Sequence, residues 1–290
     1  MVTFKSLAVS MFGWVAEKYE SVFSIVKYSM PKAEMKITFK TYLSMVFMTA
    51  AIAYFSTIFA LFLALKIVEV SFFMEVVYLI FVPIITAVSS AVILIFYPYQ
   101  KMLNRRKSIE TNLPFVLTHM GAVAESGVPP YVIFKLIGEF EEYGEVSQEM
   151  KKIVRNIESF GLDPLRAVKE VAERTPSDKF KQVLLGFVTT TESGGDVKIY
   201  LKNAGEQALF DWRIKRERFL QQLSAYAEFY TGILIAAPLF IIALFAVMNM
   251  IQPNIGGFDI LFLTKISIYV AVPGLNGGFL LFLHGMEVEM

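Results

Sequence analysis

Three long apolar runs and a shorter fourth divide the chain, and a polar middle separates the first two from the last two. The long runs are Leu43 to Leu65, Val76 to Tyr97 and Phe229 to Ile251, and none contains a formal charge. A helix of about 20 apolar residues crosses a hydrocarbon core of roughly 30 Å, so each run can span a membrane. The fourth run, Ile266 to Leu283, is shorter and contains one proline and three glycines. The pattern predicts four spans, arranged as two hairpins.

The polar middle shows helical periodicity interrupted by turn sequences. The breaks contain glycine and proline with capping Asp or Ser, and no alternating strand pattern of useful length occurs. We predict an all-α integral membrane protein in which two transmembrane hairpins flank a cytoplasmic six-helix bundle. The helices are expected at 106–125, 130–141, 146–159, 164–174, 177–192 and 197–228. The last of them contains no proline, so it is expected to enter the third span as one continuous rod.

The N-terminal segment predicts an amphipathic helix rather than a cleaved leader. Its apolar positions recur on one helical face, whereas charged residues interrupt any apolar leader core. Such a helix could lie on the inner leaflet, on a partner or on the central block, and periodicity does not separate these alternatives. The predicted layout is an amphipathic segment at 1–40, a first hairpin at 41–97, a helical bundle at 98–228, a second hairpin at 229–285 and a tail at 286–290.

Composition and charge narrow the function classes. Hydrophobic residues make up 56% of 290 residues and the mean hydropathy is +0.55, which is too apolar for an ordinary soluble domain. A net charge of +1 favours neither a nucleic acid nor an acidic substrate as partner, and the absence of cysteine excludes disulfides and thiolate chemistry. Lysine and arginine concentrate before the first span and in the polar middle. The positive-inside rule therefore predicts that the N-terminus and the central domain lie in the cytoplasm.

Two glycine-containing turns divide the polar middle. Glycine accepts backbone angles that other residues avoid, and an aspartate can cap the helix that follows. The turn residues are Glu125, Ser126 and Gly127 in the first turn and Glu192, Ser193, Gly194, Gly195 and Asp196 in the second. Six identities, including both Glu-Ser-Gly sequences, share one offset of 67 residues. This echo predicts an approximate internal two-fold repeat.

Prolines inside the spans predict local distortion. Proline cannot donate a backbone hydrogen bond, so a carbonyl one turn earlier needs another partner. The expected kinks are at Pro83, Pro238 and Pro273. Ordinary helix packing and a substrate pathway both fit this pattern, but the three long runs lack the charged group that an ion or proton pump usually needs.

The sequence contains no recognisable catalytic or metal-binding pattern. A phosphate-binding G-x-x-x-x-G-K-[ST] sequence is absent, and His119 and His284, the two histidines, stand in no metal-ligand or catalytic-triad motif. Glu139, Glu141, Glu142, Glu145 and Glu149 form an acidic cluster that is read either as a solvated face or as a docking surface. We therefore predict a protein that is not an enzyme and has no cofactor.

Several short motifs occur in a characteristic order between the paired spans. They are Leu113-Pro114, Ser126 to Pro129, Gly161 to Pro164, Thr175 to Phe180 and Glu192 to Gly195, followed by Tyr200-Leu201. Over about residues 100 to 285 the chain resembles the type II secretion system F domain, the platform-protein family of type II secretion, type IV pili, tight-adherence pili and the archaeal flagellum. Larger members carry two cytoplasmic blocks, so the single block resembles the tight-adherence and archaeal pilus platforms.

The resemblance implies a non-catalytic inner-membrane platform that binds a cytoplasmic hexameric secretion ATPase and moves pilin subunits into a fibre. A homodimer, or a heterodimer with a paralogous platform protein, could supply a second block. The candidate ATPase-docking residues are Arg105, Arg106, Lys107, Arg213, Lys215, Arg216 and Arg218. The alternative for these residues is topology and attraction to anionic lipid headgroups. The alternative function is a transporter subunit whose cytoplasmic domain docks an ABC-type ATPase.

Overall fold

The first two apolar runs form two long helices that pack on each other. In the computed structural model, which describes residues 4–65, 72–252, 254–255 and 257–286, they are α3 (Phe39–Leu65) and α4 (Phe72–Glu125). The hydroxyl of Tyr42 donates to the carbonyl of Leu94 at 2.5 Å, and the Thr57 and Thr86 hydroxyls lie 3.1 Å apart. These polar contacts join the two helices of the first hairpin.

Helix α4 continues without a break from the second apolar run into the polar middle. The sequence predicts one helix that ends near Tyr97 and another that begins at residue 106, but the structure has 54 helical residues in succession. Pro83, Pro98 and Pro114 all lie inside this helix. Each proline removes one backbone hydrogen bond, and the many bonds on either side keep the helix continuous.

The polar middle forms short helices around an apolar core. They are α5 (Pro130–Glu139), α6 (Glu145–Glu158), α7 (Pro164–Arg174), α8 (Asp178–Glu192) and α9 (Val197–Phe229), with a 3₁₀ turn at Glu141–Tyr143. The bounds agree closely with the predicted ones. Asp163 caps α7 and Ser177 caps α8, since each side chain accepts a backbone N–H of the following turn. The largest side chains of the core include Phe134, Phe180, Met120 and Met150.

Glycine allows α9 to approach α4 closely. A Cβ built on Gly205 would lie 2.9 Å from the carbonyl oxygen of Leu117, and one on Gly121 would lie 3.1 Å from the Cα of Lys202. A larger side chain at Gly205 would meet backbone rather than a movable side-chain end. This contact fixes the first two turns of α9 against α4.

The second pair of apolar runs contains two π-helical segments. The α-geometry of α9 ends at Phe229, a π-helical stretch follows at Tyr230–Ala236, and α10 is Ala237–Ile251. A two-residue antiparallel pair, β1 (Asn254–Ile255) and β2 (Phe258–Asp259), leads to α11 (Ile260–Ile266), a π segment (Ser267–Ala271) and α12 (Val272–Met286). Each π segment lies just before a proline, Pro238 or Pro273, whose missing N–H leaves a carbonyl free in the preceding turn.

The N-terminal segment packs within the chain, on the first hairpin. It forms α1 (Phe4–Lys18) and α2 (Ser24–Lys32). Val26 and Met30 of α2 are buried with Tyr42 and Val46 of α3, and Leu94 of α4 packs against the same cluster. The N-terminal segment therefore packs within the chain, and its position relative to the inner leaflet or to a partner stays a prediction.

Among the residues that the structure describes, four helical stretches are long and apolar enough to cross a membrane: Phe39–Leu65, Phe73–Glu125, Val197–Ile251 and Ile260–Gly285. The protein is thus a nearly all-helical, multi-pass membrane protein, as predicted. The chain divides into two compact units, Met1–Phe210 and Asp211–Met290. The finer domain layout and the internal two-fold repeat stay predictions, and the expected tail lies, apart from residue 286, outside the described residues.

Candidate functional site

A buried arginine joins the N-terminal segment, α4 and α6. Arg105 is 5% exposed, and its Nε lies 2.8 Å from Glu145 Oε2 while its Nη2 lies 2.6 Å from Glu149 Oε1. The same Nη2 lies 3.2 Å from Glu34 Oε1, and Nη1 donates to the carbonyl of Lys32. Lys152 pairs with Glu149 at 3.0 Å and with Glu34. We call these five charged side chains the Arg105 cluster.

Local geometry brings Glu145 and Glu149 to Arg105. They stand one helical turn apart on α6, so both carboxylates point to the same side. Gly144, with a φ of 57°, precedes α6 at a point where a Cβ would lie 2.8 Å from Ser108 Oγ of α4. The N–H of Glu145 donates to that hydroxyl at 3.3 Å. The first turn of α6 is therefore held against α4 beside Arg105.

Burial perturbs the titration of two members of the Arg105 cluster. Burial raises the pKa of Glu149 to about 7, and the neighbouring Arg105 only partly offsets this. Burial, with a smaller contribution from Arg155, lowers the pKa of Lys152 to about 8. The cluster holds three carboxylates and two cations, so one carboxylate lacks a full counter-charge. Protonating the most buried carboxylate, Glu149, removes that imbalance.

This cluster changes the role of one predicted docking residue. Arg105 is engaged inside the chain, and its burial leaves no surface on which a partner could bind it. The adjacent Arg106 remains accessible, with its side chain 42% exposed and paired with Glu110 at 2.9 Å and Asp178 at 3.7 Å. Lys107 is also exposed. We therefore remove Arg105 from the candidate docking residues and retain the other two on α4.

The second basic group lies on the surface of α9. Its members are Arg213, Lys215, Arg216 and Arg218, and all four are exposed. Within the described ranges, none of them forms an ion pair with a carboxylate. We call this group the α9 basic cluster.

The acidic cluster is not one exposed face. Glu139, Glu141 and Glu142 are exposed, whereas Glu149 is 2% exposed and Glu145 is half-buried. The sequence did contain a signal for this difference, because Val146, Glu149, Met150 and Ile153 follow the spacing of a buried helix face. A charged residue in such a row needs a partner inside the fold, and Arg105, 44 positions earlier, supplies it.

The two predicted turns adopt glycine conformations. Gly127 and Gly194 have φ values of 77° and 71°. Asp196 Oδ1 accepts the backbone N–H groups of Lys198 and Ile199 at 2.8 and 3.3 Å. Glu125, at the first turn, pairs with Lys202 of α9 at 2.8 Å. Glu192 is the last residue of α8, and the remaining turn residues, Ser126, Ser193 and Gly195, lie in these same two connections.

His119, the histidine of the polar middle, takes part in no metal site in the described part of the chain. His119 Nδ1 lies 3.0 Å from the Tyr143 hydroxyl, and its ring packs 5.1 Å from that of Phe140. No group of three or more potential ligands occurs among the residues that the structure describes. His119 is thus a packed side chain.

Comparison with known proteins finds one family model that matches part of this chain. Residues 116–245 match the model of type II secretion system (T2SS), protein F. A flagella accessory protein J of Methanocaldococcus jannaschii is 25% identical over 188 residues, which is 64% of this chain and 32% of that protein. Flagella accessory protein J of Methanococcus voltae is 23% identical over 175 residues, 60% of this chain and 30% of that protein.

An uncharacterized protein of Methanocaldococcus jannaschii is 26% identical over 148 residues, 51% of this chain and 25% of its own length. The chain thus matches between a quarter and a third of the length of these relatives. No solved structure matches the chain. The match over residues 116–245 confirms the predicted resemblance to the type II secretion system protein F family for this part of the chain.

Proposed function

We propose that this chain is an inner-membrane platform protein of a type IV pilus-like assembly or secretion machine. It docks a cytoplasmic hexameric secretion ATPase and couples the motion of that motor to the insertion of pilin subunits into a fibre. The protein F domain, the flagella accessory names of the relatives and the four apolar helices support this role. The partners are the ATPase, pilin subunits, membrane lipids and either a second copy or a paralogous platform protein.

The observation that carries the coupling is the continuity of α4. One helix extends from the first hairpin into the helical core, and the Arg105 cluster fastens α6 and the N-terminal segment to it. A force on this part of the chain therefore reaches the first hairpin without passing a flexible loop. Lysine and arginine on both sides of the polar middle favour its placement in the cytoplasm.

The proposed docking residues are Arg106 and Lys107 on α4 and, as a separate group, the α9 basic cluster. Arginine suits such a surface because its planar guanidinium can hold a carboxylate through two parallel hydrogen bonds. The exposed cations of α9 have no carboxylate partner in the described ranges, so their charge is available to an acidic surface.

Charge reversal tests this docking surface. We expect that replacing Arg213, Arg216 and Arg218 with glutamate abolishes co-purification of the secretion ATPase with the membrane-extracted protein, because attraction becomes repulsion. The matched control reverses Lys169, Arg174 and Lys179, three exposed cations elsewhere on the helical core. It introduces the same change in charge and is expected to retain the ATPase. Equal recovery of the ATPase with both variants would exclude the α9 basic cluster as a docking surface.

A second experiment tests coupling through α4. Gln100 and Asn104 are exposed on α4 where it leaves the span. Replacing both with glycine costs about 2 kcal/mol of helix stability relative to replacing both with alanine, and adds flexibility at that point. We expect fibre assembly to fail with the glycine pair and to continue with the alanine pair, while both variants insert into the membrane. Normal assembly with the glycine pair would argue against coupling through this helix.

A further inference from the structure

Small side chains allow α1 to lie directly on the first span. Ala8, Gly13 and Ala16 are the buried residues of α1. A Cβ built on Gly13 would lie 3.0 Å from the Lys40 side chain of α3. Small residues permit the close backbone approach that is typical of helix pairs in membranes.

Two contacts fix the direction of α1 along α3. Glu17 pairs with Lys40 at 2.6 Å, and the ring of Phe12 lies 6.5 Å from the ring of Phe47. The two helices are therefore antiparallel. Since the apolar run of α3 begins at Leu43, the N-terminal half of α1 lies beside membrane-spanning residues, while Glu17 lies beside the polar start of α3.

The outer side of α1 carries a stripe of large apolar side chains. Its members are Phe4, Leu7, Met11 and Trp14, all exposed, with Trp14 65% exposed. They recur at intervals of three and four residues, so they lie along one side of the helix. Apolar side chains of α3 at Ile52, Phe55 and Phe59 are also exposed. From Phe4 to Trp14 the stripe is about 15 Å long, half of a hydrocarbon core of roughly 30 Å.

We propose that α1 is embedded in one leaflet of the bilayer beside the first span. Its apolar stripe faces the acyl chains, and Trp14 lies at the boundary with the headgroups, where the amphipathic indole ring is favoured. Residues 1–40 contain six lysines and three glutamates, which favours anionic headgroups at this boundary. Lys5 lies near the deep end of the stripe, and its four-carbon stem allows the ammonium group to extend towards the headgroups.

Tryptophan fluorescence tests this position, because the chain contains only Trp14 and Trp212. The full-length Trp212→Phe variant is reconstituted in vesicles of phosphatidylcholine and phosphatidylglycerol whose acyl chains are brominated near the headgroups. We expect the Trp14 emission to be lost in these vesicles relative to unbrominated ones. The matched Trp14→Phe variant reports Trp212, in the polar part of α9, and is expected to keep its emission.

Single cysteines provide a second measurement, because the natural chain has none. Leu7→Cys lies in the stripe, and Lys18→Cys lies at the exposed polar end of the same helix. We expect a membrane-impermeant maleimide to modify the Lys18→Cys variant and to leave the Leu7→Cys variant largely unmodified in vesicles. Detergent solubilisation followed by denaturation should make both thiols reactive.

Two outcomes would overturn the proposal. Trp14 emission that bromine leaves unchanged and aqueous iodide quenches would place α1 in water. Emission that neither bromine nor iodide quenches, with Leu7→Cys still unmodified, would indicate a protein partner such as a second copy on the stripe. Neither outcome bears on the ATPase co-purification experiment, so the proposed platform function is tested separately.

Discussion

Replacing Arg105 with leucine is expected to lower the unfolding free energy by about 3–5 kcal/mol near pH 8. The substitution removes the cation that Glu34, Glu145 and Glu149 share, so the buried carboxyl group of Glu149 either keeps its charge with only Lys152 nearby or takes up a proton at a pH where the unfolded chain is ionised. Breaking a buried ion pair by removing one partner costs this much because the remaining charge stays out of water. The change should appear as a lower midpoint of thermal unfolding of the detergent-solubilised protein.

The adjacent arginine provides the matched control. Arg106 stands on the same helix with its side chain 42% exposed, and its pairs with Glu110 and Asp178 are accessible to water. Exposed pairs contribute about 0–1 kcal/mol, so Arg106→Leu should shift the midpoint little. Equal effects of the two substitutions would mean that the Arg105 cluster does not hold these elements together.

The stability of the protein is expected to fall as the pH rises through the range in which Glu149 titrates. The pKa of Glu149 is about 7 in the folded chain and near its ordinary value of 4.5 in the unfolded chain. The folded protein therefore binds this proton more tightly, and the resulting stabilisation is complete below pH 4.5 and lost as the pH rises through 7. The difference between the two pKa values corresponds to about 3 kcal/mol.

The Glu149→Gln variant isolates this effect because glutamine does not titrate. Between pH 5 and pH 8, the unfolding midpoint of the natural protein should decrease relative to that of the variant. Lys152 acts in a different range, since its pKa of about 8 lies below its ordinary 10.5 and its stabilisation is lost as the pH falls from 10.5 through 8. A constant difference between the natural protein and the Glu149→Gln variant from pH 5 to pH 7 would contradict the assignment.

Features that depend on residues close in sequence were predictable. Helical period, capping residues and glycine turns all act within a few positions, and the helix bounds from Pro130 to Phe229 follow from them. The same locality explains the error at residues 98–105. The sequence predicts a span that ends at Tyr97 and a helix that begins at residue 106, whereas the surrounding helix and its packing keep α4 helical through Pro98.

The candidate site was predictable only in part. Arg105 and Arg106 are chemically identical neighbours, yet a helix turns 100° between consecutive residues, so one is buried and the other accessible. The sequence presents the basic segment and the acidic cluster as two separate surfaces. The fold shows that Arg105 pairs with both Glu145 and Glu149, about 40 positions later in the chain.

The sequence by itself determined that the chain is an α-helical membrane protein with two apolar pairs around a polar middle, because membrane insertion and helix formation depend on the local order of apolar residues. The tertiary structure alone decided that the N-terminal segment lies on the first hairpin and that Arg105 forms buried ion pairs inside the chain. Both features depend on which side of one helix meets another, and that choice is made by packing between residues distant in the chain.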